Sequence, residues 1–63
     1  MNSDPARLYD LAQAVREACV EAAVAGYQNA AMSGLCHEGA WEAAVSAIRM
    51  VDVAALVKQH ENG

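Results

Sequence analysis

Apolar residues recur at three- and four-residue intervals from Pro5 to Ala31, the period of an amphipathic helix. Leu8, Leu11, Val15, Ala18, Cys19, Ala22 and Gly26 fall on one side of it. Asp10, Gln13, Glu17, Glu21 and Gln28 fall on the opposite side, and Tyr9, Val20 and Tyr27 form a further stripe beside the apolar face. The apolar arc is therefore wide enough for two partner helices. Its centre is small, because Ala18, Ala22 and Gly26 would let another backbone approach closely. Pro5 suits the first helical position, where its missing N–H costs nothing. Asp4, or Ser3 in its place, suits the cap before it.

The pattern breaks at Met32-Ser33-Gly34-Leu35, which predicts a turn over residues 32–36. Gly34 can adopt the left-handed conformation that ends a helix, and Ser33 could instead cap the next one. The second helix runs to Met50. It starts near His37 with Gly39 in its first turn, or else something packs closely on Gly39, since a glycine inside a helix costs roughly 1 kcal/mol against alanine. Trp41, Ala44, Ile48 and Val51 share one face; Glu38, Glu42, Ser46 and Arg49 share the other. After Val51 the apolar phase slips, and Asp52 at the slip is a good cap residue. It predicts a short third helix from Val53 to His60, the alternative being one continuous helix with a solvated Asp52. Residues 1–3 and 61–63 are expected to fray. No segment alternates as a strand does. The expected fold is one all-α domain, a helical hairpin with a short C-terminal helix or kink after Asp52.

Composition changes that picture in one respect. The chain has 63 residues, 56% of them hydrophobic, but phenylalanine is absent and the aromatics are Tyr9, Tyr27 and Trp41. Alanine accounts for much of the apolar fraction and buries little area. A chain this short buries only about 60% of the surface its unfolded form exposes, and small scaffolds often make up the deficit by oligomerising. A homodimeric four-helix bundle is therefore expected, with Leu8, Leu11, Val15, Ala22, Trp41 and Ile48 at the interface and Trp41 as a principal core or interface anchor. The expected partners are a second copy and, through it, another protein.

The net charge of −4, with Arg7, Arg16, Arg49 and Lys58 scattered along the chain, argues against nucleic acid and against an anionic membrane surface. No stretch reads as a membrane span or a secretory signal. The two cysteines are then expected to be reduced in a cytoplasm, rather than joined as Cys19–Cys36.

Reactive residue types cluster once, at Cys36-His37-Glu38. These three are the candidate catalytic residues, since a cysteine at a helix start beside a histidine is the pattern of an activated thiol. Cys36 is on that ground expected to outreact Cys19, a small residue on the apolar face. Consecutive helical residues point about 100° apart, so one chain cannot offer all three to one ion. Two copies, with His60, could. No metal and no cofactor are expected. Catalysis also needs a walled pocket, which short helices scarcely supply. The structural reading of the same residues tucks Leu35 and Cys36 under the turn and leaves His37 and Glu38 in water.

The stretch Ser33-Gly34-Leu35-Cys36-His37-Glu38-Gly39-Ala40-Trp41-Glu42-Ala43-Ala44, followed by Ile48-Arg49-Met50-Val51-Asp52, resembles a family of very short bacterial all-helical proteins, some labelled acetyltransferase. The resemblance covers about half the chain. It implies a link to acyl transfer, and the lack of strands or a phosphate-cradling turn makes an accessory piece the better expectation than a complete enzyme.

Overall fold

The structure, a computed structural model, describes residues 4–62. It is all-helical: α1 spans Pro5–Met32, α2 His37–Arg49 and α3 Val53–Asn62. α2 and α3 fold back along α1 and form the broken second arm of a hairpin, 47 × 16 × 13 Å in extent. The long dimension is that of α1, whose 28 residues rise about 1.5 Å each. The radius of gyration, 14.7 Å, exceeds the about 11 Å of a compact domain of this length, so the hairpin is a rod.

Local chemistry fixes each boundary. Asp4 Oδ1 accepts from the Ala6 N–H at 3.0 Å, with Pro5 at the first helical position. At the other end Gly34 has φ +94°. The Gly34 N–H donates to the Ala31 carbonyl and the Leu35 N–H to the Ala30 carbonyl, both at 3.0 Å. This crossed pair is the Schellman arrangement, which satisfies carbonyls the helix end would otherwise leave open. Ser33 does not cap α2; its hydroxyl donates back to the Asn29 carbonyl. Cys36 occupies the cap position of α2 without a side-chain cap bond.

Both explanations offered for Gly39 hold. It lies in the first turn of α2, and a Cβ there would sit 3.2 Å from Leu35 Cδ2. Asp52 does break the second arm: its Oδ1 accepts from the Ala55 N–H at 3.0 Å. α3 continues through Glu61 to Asn62, past His60. Residues 1–3 and 63, expected to fray, lie outside the described residues. Arg7 Nη2 donates to the His60 carbonyl at 2.8 Å and ties the start of α1 to the end of α3.

The helix–helix seam is built from small residues. A Cβ at Gly26 would lie 3.0 Å from Ala47 Cβ and 3.1 Å from the Ala43 carbonyl oxygen, so α1 and α2 touch nearly backbone to backbone. The buried hydrophobic residues are Ala30, Ala40 and Ala44, with Ala40 at 1% exposure. No large side chain is fully buried among the described residues.

Candidate interaction face

Close approach of two backbones leaves no room between them for large side chains, which are displaced to the flanks. Trp41 is the main case. It follows Ala40, and one residue along a helix rotates the side chain by about 100°. Ala40 turns into the seam and Trp41 turns out of it, 61% exposed. The expectation that Trp41 anchors the core is therefore corrected for the single chain. Ile48, two turns on, is also exposed, and so are Val20 and Val24 on α1, at 57% and 50%.

These positions converge. Ala23, Val24, Tyr27 and Gln28 of α1, with Trp41 and Ala44 of α2, line a shallow open groove of about 290 Å³. Val20 lies one turn before Val24, and Ile48 one turn after Ala44, so both extend the strip beyond the groove. The Tyr9–Val20–Tyr27 stripe and the Trp41–Ile48 stripe, separate in the sequence, thus meet on one side of the hairpin around Tyr27 and Trp41. No charged residue lines the groove.

The six residues expected at an interface divide. Leu11, Val15 and Ala22 are half-buried on the hairpin itself, whereas Leu8, Trp41 and Ile48 are exposed. Val24 was missed, because it falls on the polar side of α1, one turn from Glu21 and two from Glu17. Its role becomes legible only when Trp41 is placed across from it.

The turn gathers a different set. Tyr27 Oη and His37 Nδ1 lie 2.7 Å apart, with their rings edge to face at 5.7 Å. His37 is exposed, as the structural reading of the sequence expects, and this contact also holds its ring against α1. Cys36 is exposed, not tucked under the turn, and Leu35 is half in water. Both thiols are free, Cys19 being half-buried. Glu38 is exposed in the first turn of α2, where the helix dipole favours a carboxylate. Cys36, His37 and Glu38 are neighbours in sequence without converging on a point. Among the described residues no group of three metal-ligating side chains comes together. The turn therefore offers an accessible thiol and an oriented imidazole with no enclosing wall.

No helix among the described residues is long and apolar enough to cross a membrane. No family model, curated protein or solved structure matches the chain.

Proposed function

We propose that the chain is a self-associating interaction module, a hairpin that pairs with a second copy to form a four-helix bundle and through it binds or regulates another protein. The observation that carries this reading is the contrast between an all-alanine core and an exposed face bearing Val20, Val24, Trp41 and Ile48. Burying a large apolar side chain stabilises by about 1.5–3 kcal/mol, far more than an alanine does. The large apolar residues of this face are thus left in water, while Leu11, Val15 and Leu56 are half-buried within the hairpin. Single exposed apolar residues are ordinary, but a contiguous strip marks an interaction surface. The scattered cations and the uncharged groove favour a protein partner over nucleic acid or an anionic membrane. The cytoplasm suits such a module with two unpaired thiols.

Sedimentation velocity over a dilution series tests the reading. The expected result is a species of twice the 6.6 kDa chain mass at micromolar concentration. A folded species of single-chain mass at every concentration would remove the basis for it.

A further inference from the structure

We propose that α3 is a releasable strap: hinged at residues 50–52 and latched at its far end by Arg7, it covers Leu11 and Val15 of α1 and comes off them as one unit. This device lies apart from the groove around Tyr27 and Trp41, and it does not depend on self-association.

The register of the hairpin decides what α3 covers. Gly26 lies against Ala47, while Arg7 reaches the His60 carbonyl. α2 ends at Arg49, two residues past Ala47, so it runs out against α1 well before Val15 is reached. Leu11 and Val15 lie between these two points, at the level of α3. They are half-buried, as is Leu56 of α3. α3 packs on α1 and not on α2. Among the described residues it is therefore the element that shields Leu11 and Val15 from water.

Little holds it there. No residue from Val53 to Glu61 is fully buried, and Val53 and Val57 are exposed. One side-chain hydrogen bond joins α3 to α1 among the described residues, from Arg7 Nη2 to the His60 carbonyl at 2.8 Å. The same cation meets the negative end of the α3 dipole. At the hinge the bonding is local to each helix. The Met50 and Val51 N–H groups donate back into α2, and the Asp52 carboxylate accepts from the Ala55 N–H of α3. Turning the link thus breaks no hydrogen bond between the arms. The ten residues of α3 are too few for a stable helix alone in water. Leaving α1 therefore costs α3 its amide protection, and the same step bares Leu11 and Val15.

Amide exchange of the full chain, resolved by residue with NMR, reads this release. Residues 57–61 should share one opening constant, at least roughly tenfold larger than that of the seam at Ala30, Ala40 and Ala44. Arg7→Met keeps the aliphatic stem and removes the latch. It should raise exchange across α3 by roughly two- to tenfold, the effect of one hydrogen bond, and leave the seam unchanged. Arg16→Met makes the same charge change at an arginine that bonds Gln13 of its own helix, and should leave α3 as it was. Exchange that grades inwards from residue 61, or that ignores Arg7→Met, overturns the strap. So does an α3 that exchanges as slowly as the seam, because the hairpin would then open only as a whole. None of these results bears on self-association, which is read from mass.

Discussion

The seam between α1 and α2 and the face beside it are made from the same two helices, yet they sort residues oppositely. At the seam stand Gly26, Ala30, Ala40, Ala43, Ala44 and Ala47; on the face stand Val20, Val24, Tyr27, Trp41 and Ile48. A globular core places its large apolar groups inside. Here the inside is small so that two helices can lie close, and dispersion contacts between backbones take the place of interlocking side chains. The seam sets the geometry of the hairpin. The face holds the apolar area from which stability could still be drawn.

Substitutions can break this contrast from either side. Gly26→Val should have the largest effect. Its Cβ would meet Ala47 Cβ at 3.0 Å and the Ala43 carbonyl oxygen at 3.1 Å, and a backbone atom cannot rotate away. Overpacking of this kind costs about 1–3 kcal/mol, enough to lower the urea midpoint followed by circular dichroism. An unchanged midpoint would mean that the helices are not in close contact. Gly34→Ala should cost about 1 kcal/mol, because no neighbour crowds the site but φ is +94°. The deficit should appear in the same titration, and a gain in stability would contradict the left-handed turn. Asp52→Ala should cost ~1 kcal/mol through the lost cap on α3. Amide exchange should then quicken in α3 and stay slow at the α1–α2 seam; a uniform increase would show that the two arms are not separable.

The mildest perturbation is chemical. Cys36 should alkylate faster than Cys19 in the folded protein, being exposed at the cap of α2 while Cys19 is half-buried on α1. Competitive labelling read by mass spectrometry ranks the two. Equal rates would contradict the placement of Cys19, or would show that the fold opens on the labelling timescale.

Much of the fold is written locally, and so was legible. Asp4-Pro5, Gly34 and Asp52 each act on their own few residues, and each does in the structure what its chemistry predicts. Gly26 was equally readable as a small packing residue. Trp41 was not, since size suggests a core position while the side on which a residue falls depends on how closely the helices approach. The Tyr27–His37 hydrogen bond was hidden for a related reason. It joins residues ten apart, and only the Schellman turn sets the register that brings them together. The candidate site was thus half visible: its stripes could be drawn along each helix, but their meeting around Tyr27 and Trp41 is a property of the folded pair.

The central claim is that the apolar area on the exposed face belongs to the stability of an assembly. Thermal unfolding at several protein concentrations tests it most directly, because a dimer that dissociates as it unfolds gains stability by mass action. Over a roughly hundredfold concentration range the account predicts a midpoint that climbs with concentration. A single midpoint across the whole range would show that the alanine seam holds the hairpin by itself, and would contradict the claim.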